Sequence, residues 1–83
     1  SASLATVMCG RRMVQITPPQ ETALDLAALT ERVRSTGEAS YNGFLLTVKD
    51  GKLEMTLFPD GRALVKGTED ESMARTFYAR TLG

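Results

Sequence analysis

The chain has 83 residues, ten of them basic and ten acidic, with one cysteine and no histidine. At this length a single domain buries roughly 60–65% of its unfolded surface. One cysteine excludes an internal disulfide, and without histidine a four-ligand Cys/His zinc site cannot form within one copy. No stripe of Lys and Arg emerges, which argues against nucleic acid as a main partner. No apolar run approaches the ~20 residues of a membrane span. A lone cysteine fits a reducing, cytoplasmic compartment. The N-terminus lacks the cationic start and apolar block of a signal peptide. It begins Ser1-Ala2-Ser3 rather than Met, which suggests either a trimmed chain or a single domain, residues 1–83, cut from a longer protein.

Residues 4–16 are apolar and partly β-branched (Leu4, Val7, Met8, Cys9, Met13, Val14, Ile16) and are expected to form strand 1. Val7 and Cys9 share one parity, Val14 and Ile16 the other, so one extra residue near Gly10-Arg11 is expected as a bulge. Pro18-Pro19 ends the strand, because proline cannot donate a ladder hydrogen bond. Thr22 and Asp25 resemble a capping box with a shorter acid. Leu26, Leu29 and Val33 then mark one face of a helix over 22–35. Gly37 suits a left-handed position after its end.

Residues 40–43 read as a loop. Strand 2 (44–49) puts Phe44, Leu46 and Val48 on one face. Asp50-Gly51 reads as the centre of a hairpin turn. Strand 3 (52–58) alternates Leu53, Met55 and Leu57 with Glu54 and Thr56, the pattern of a half-buried antiparallel strand. Pro59-Asp60-Gly61 is a second turn, and strand 4 (62–67) puts Ala63 and Val65 opposite Arg62, Leu64 and Lys66. Thr68-Glu69-Asp70-Glu71 is a Thr-x-x-Glu capping box, and three acids there suit the helix dipole. Helix 2 (69–81) carries Met73, Ala74, Phe77 and Tyr78 inward. The expected fold is α+β, β-α-β-β-β-α: a four-stranded, mostly antiparallel sheet with both helices on one face. The place of strand 1 in the sheet is left open.

Catalytic constellations are missing. Without histidine there is no Ser-His or Cys-His dyad, and no glycine-rich phosphate loop is present. Glu69, Asp70 and Glu71 serve capping rather than metal binding. Cys9, beside Arg11 and Arg12, is the one candidate reactive thiol; the competing reading is a small buried hydrophobe. Arg11 and Arg12 could bind a carboxylate, a phosphate or an acidic tail, or be ordinary surface charge. Arg62 and Lys66 share a face with Leu64 between them. With Leu45 and Phe58 they could give an apolar centre with a basic rim, the anatomy of a modest protein-docking surface. A free-standing α+β binding module with an unrelated partner fits the same residues.

Two blocks carry a resemblance. Cys9-Gly10-Arg11-Arg12-Met13-Val14-Gln15-Ile16 is similar to a Cys-Gly-Arg-x-x-Val-Gln-Ile pattern. Phe58-Pro59-Asp60-Gly61-Arg62-Ala63-Leu64-Val65-Lys66-Gly67-Thr68, followed by Ala74-Arg75 and Tyr78-Ala79-Arg80, is similar to a second, and Phe44-Leu45-Leu46 joins them. Together they resemble the C-terminal domain of ThiF/MoeB/HesA-type adenylyltransferases, which resemble ubiquitin-activating enzymes. The resemblance implies an accessory domain of an enzyme that adenylates a ubiquitin-like sulfur carrier for thiamine or molybdopterin synthesis. ATP and magnesium would be held by a separate adenylation domain and not here. The implied partners are that adenylation domain and the carrier. Some relatives bind zinc through two Cys-x-x-Cys pairs; Thr6 stands where Cys9 would need its mate, so no zinc is expected. The transferring cysteine belongs to the adenylation domain, so the resemblance gives Cys9 no catalytic role.

Overall fold

In the computed structural model, which describes residues 4–8 and 11–83, six strands and two helices follow the order β-β-α-β-β-β-β-α. The strands are β1 (Leu4–Val7), β2 (Met13–Thr17), β3 (Glu38–Tyr41), β4 (Leu46–Asp50), β5 (Leu53–Leu57) and β6 (Ala63–Lys66). The helices are α1 (Leu26–Arg34) and α2 (Glu71–Leu82). All strands join one sheet in the order β1-β2-β6-β5-β4-β3, and every pairing is antiparallel. The α+β class and the two-helix count agree with the sequence reading; the sheet has six strands, not four.

The two additional strands have separate causes. The run expected as one strand is a hairpin: β1 and β2 pair with Val7 opposite Val14 and Leu4 opposite Thr17. The chain folds back through Met8, whose N–H donates to Met13 O at 2.9 Å. The change of parity that suggested a bulge is therefore the fold-back itself. Gly10, on which the bulge was placed, lies outside the described residues. The other addition, β3, pairs with β4 over Glu38–Tyr41, the end of which reads as a loop from sequence. Its residues are mostly exposed, so no apolar alternation marks it.

The remaining differences are local. Helix α1 begins four residues later than expected. Asp25 is its N-cap, accepting from Ala28 N–H at 3.1 Å, and Thr22 makes no capping contact there, its hydroxyl donating to Gln20 O. Leu24 N–H donates to Pro59 O at 2.9 Å, which holds the preceding segment against the sheet instead. Gly37 is not left-handed. Asp50 pairs with Leu53, so the two central residues of that turn are Gly51-Lys52. Only Gly51 has a positive φ, 59°, the pattern of a type II′ turn. Asp70, not Thr68, caps α2: its Oδ1 accepts from the Ser72 and Met73 N–H groups, while Thr68 Oγ1 accepts from Asp70 N–H.

Core-facing residues lie on one sheet face. The row Ala5–Ile16–Ala63–Leu57–Leu46 and the row Val7–Val14–Val65–Met55–Val48 run across the strands in register. All but Val7 are buried. Helix α2 covers the β1–β2 end and α1 the β3–β4 end. They contribute Ala74, Phe77 and Tyr78, and Leu26 and Leu29, to the same cluster. Met73, expected inward, is half exposed, while Thr81 near the C-terminal end of α2 is buried. With both helices on one side, the opposite face of the sheet is left open.

Candidate docking surface

The open face is organised in three rows, each fixed by the register. The first is a ladder of alternating charge: Glu38 opposite Lys49, Lys49 opposite Glu54, Glu54 opposite Lys66, with Met13 beyond. The second runs Ser40–Thr47–Thr56–Leu64–Gln15–Thr6. The third is more apolar. Asn42 N–H donates to Leu45 O and Phe58 N–H to Arg62 O, and Leu45 lies opposite Phe58, one step beyond the Leu46–Leu57 pair. Threonine and β-branched side chains suit such a half-covered pleated surface.

Arg62, Leu64 and Lys66 are on this face, as their parity implied, but each belongs to a different row. Arg62 and Lys66 are four residues apart along an extended chain, roughly 13 Å. Their surroundings differ. The Arg62 guanidinium stacks over the Phe58 ring at 5.4 Å and pairs with Asp60 at 2.8 Å. The Arg62 N–H donates to Asp60 Oδ1 at 3.0 Å. That backbone hydrogen bond, helped by the side-chain pairing and the Arg62 charge, holds the Asp60 carboxyl below its ordinary 3.8 against the opposing effect of desolvation. Lys66 stands between Glu54 and Met13.

Arg12 is at the Lys66 end of the sheet. Its Nη2 donates to Gly67 O at 3.1 Å, and Gly67 N–H donates to Arg12 O at 2.9 Å, extending the β2–β6 ladder by one step. Arg11, next to it, is exposed. The structure thus groups Arg12 and Lys66 at one end of β6 and places Arg62 at the other, with Leu64 between. Cys9 lies outside the described residues. Lys49, Glu54 and Glu38 were not singled out from sequence. Alternation assigns Lys49 and Glu54 to the open face, whereas Glu38 lies in a strand that alternation does not mark, and only the register aligns the three. Phe44 was expected inward and is 76% exposed. It sits in a turn where Asn42 Oδ1 accepts from the Phe44 and Leu45 N–H groups at 2.9 and 2.8 Å.

The covered side holds a cleft of about 330 Å³ between the helices and the end of β4, lined by Val33, Val48, Lys49, Asp50, Phe77 and Arg80 among others. Asp50 and Arg80 form an ion pair across it, so its charges serve to hold α2 against the β4–β5 hairpin. Among the described residues there is no group of three or more His, Cys, Asp or Glu placed to hold a metal ion. Among the same residues no helix is long and apolar enough to cross a membrane. The open face offers apolar contact on Leu45, Phe58 and Leu64, with Arg62 and Lys66 at opposite ends of β6.

No family model matches the chain, and no solved structure matches it. A curated relative does: the sulfur carrier protein ThiS adenylyltransferase of Bacillus subtilis is 39% identical over 80 residues. The match covers 95% of this chain and 24% of that enzyme, so the chain spans about a quarter of its relative's length. An identity of that level across nearly every element just described shows that the chain is homologous to one region of a ThiS adenylyltransferase.

Proposed function

We propose that this chain is the accessory and recognition domain of an ATP-dependent adenylyltransferase that activates a sulfur carrier, in thiamine or molybdopterin biosynthesis in the cytoplasm. The observation that carries the reading is the 39% identity to part of a ThiS adenylyltransferase. The residues agree with a non-catalytic role. The sequence has no histidine and no phosphate-cradling glycine loop. Adenylation chemistry, with its ATP and magnesium, would belong to the adenylation domain of the parent enzyme, the second proposed partner.

The carrier would dock on the open face along β6. Leu64 and Phe58 would supply the apolar centre, and Arg62, Lys66, Arg11 and Arg12 the cations that steer an acidic or carboxylate-terminated partner. The test is an NMR titration of the labelled chain with a ThiS-type carrier ending in Gly-Gly. Shifts concentrated on β5 and β6 are expected. No shifts at about 0.5 mM carrier, a concentration that detects even millimolar affinity, would remove recognition and leave the domain as a brace for the adenylation domain. Calorimetry with ATP and magnesium should give no binding heat. Binding at a defined site would overturn the accessory reading.

A further inference from the structure

We propose that the open sheet face pairs with the same face of a second copy of this chain, about a two-fold axis that runs parallel to the strands between β4 and β5. The inference stands apart from the carrier reading, since it uses only the register of this sheet. The pairing would compete with a carrier for the face.

The argument begins with symmetry. A two-fold interface brings a surface patch against itself, so the patch must be self-complementary. An in-plane axis between β4 and β5 keeps each row opposite its own row and exchanges β4 with β5 and β3 with β6. In the charged row this sets Lys49 against Glu54 of the second copy and Glu38 against Lys66, and the reverse, so all four residues meet an opposite charge. In the middle row Thr47 meets Thr56 and Ser40 meets Leu64. In the third row Leu45 meets Phe58 twice. An axis across the strands would instead set Lys49 against Leu45 and lose every charge match. The alternation of sign over the four strands β3-β4-β5-β6 is what makes the face self-complementary.

Packed sheets cross at about 30° because each is twisted. Residues nearest the axis are displaced least by that angle, and these are the Lys49–Glu54, Thr47–Thr56 and Leu45–Phe58 pairs. The charged row lies at one end of the strands. Lys49 and Glu38 keep 55% and 76% of their side-chain surface accessible, so the ion pairs would form a solvated rim rather than a buried charge cluster. Four strands about 4.8 Å apart and three rows deep give a footprint of roughly 400 Å² per copy. A standard stable interface buries about 800 Å² per partner. The pair should therefore be weak, with a dissociation constant in the range of about 0.1–1 mM.

The test reverses the whole ladder: Glu38→Lys, Lys49→Glu, Glu54→Lys and Lys66→Glu together. Every cross-strand neighbour within the chain keeps an opposite charge, so the fold is preserved. The reversed chain should pair with itself as well as the wild type does. In a mixture of the two, the heterodimer should form at least ~10-fold more weakly than either homodimer, because every facing pair in it carries like charge. Thr56→Arg, which crowds the axis without touching the ladder, should abolish pairing. Sedimentation equilibrium and NMR diffusion up to about 1 mM read both effects. A chain monomeric throughout that range, a heterodimer that forms as readily as either homodimer, or a Thr56→Arg variant that still pairs would each overturn the proposal.

Discussion

The Tyr78 hydroxyl donates to Gly61 O at 2.6 Å, in a buried position 17 residues away along the chain. The bond joins the middle of α2 to the β5–β6 turn. It fixes how the helix lies over the sheet, because the rest of the Tyr78 ring is in the core cluster. Tyr78→Phe keeps the ring and removes the donor to that carbonyl. A loss of about 1–2 kcal/mol is expected, the usual cost of a buried acceptor deprived of its donor. Urea unfolding of the two proteins measures it, and an unchanged midpoint would show that the bond contributes nothing net.

Gly67 is the residue where the backbone has least room. Its φ is 101°, and a Cβ added there would lie well inside contact distance of the Lys52 carbonyl oxygen. The chain after β6 is held between two neighbours here, with Gly67 N–H donating to Arg12 O on the β2 side and Lys52 O close on the β5 side. Gly67→Ala is expected to cost at least ~2 kcal/mol, combining a strained φ with a clash against backbone that cannot move aside. Thermal unfolding checks this. A change under about 0.5 kcal/mol, the size of an ordinary surface substitution, would mean that the hairpin yields.

Asp60 supplies a pH prediction. Its carboxyl sits below 3.8 because it accepts from the Arg62 backbone N–H and guanidinium. A carboxylate whose folded pKa is depressed adds stability above its unfolded pKa and loses it as pH falls through the folded value. The contribution should therefore be present at neutral pH and disappear only below pH 3.8. An NMR titration of the Asp60 side chain should place its midpoint under that value. Arg62→Gln should move it up while leaving the backbone contribution in place. A midpoint at or above the ordinary value would contradict the geometry.

The elements that were legible in the sequence are those whose side chains alternate against a core. Leu53, Met55 and Leu57 with Glu54 and Thr56 between them define β5 without help. Ala74, Phe77 and Tyr78 following an acidic first turn define α2. The β3 strand has no such pattern. Ala39 is its one partly buried hydrophobe against the core, and the strand forms because β4 offers a free edge of N–H and C=O groups to pair. The β1–β2 hairpin was hidden for another reason. Both arms are apolar and short, and a parity change between them reads equally as a bulge or a reversal. At the surface, parity alone placed Arg62, Leu64 and Lys66 on the open face. It could not show that Lys66 lies opposite Glu54 and Arg62 beside Phe58, because register is a property of strand pairs and no single segment encodes it.

That register shapes the docking prediction. Arg62→Glu would lose both its stacking on Phe58 and its pairing with Asp60, so any loss of carrier binding could follow from a disturbed turn. Among the described residues Lys66 forms no ion pair, and it stands at the end of the strand, so it is the cleaner probe. Under the proposed function, Lys66→Glu should slow association with a ThiS-type carrier and weaken its salt dependence, since rim charges act chiefly on the on-rate. Lys66→Glu sets a like charge opposite Glu54, so stability should fall by no more than about 1 kcal/mol. Lys66→Gln should give an intermediate on-rate, as expected for a charge effect and not for a lost packing contact. The measurement is stopped-flow association at two salt concentrations, with the chain dilute enough to remain monomeric. Rates that do not respond to either substitution would take the Lys66 end of β6 out of the docking surface. The apolar row at Leu45 and Phe58 would then be the next surface to vary.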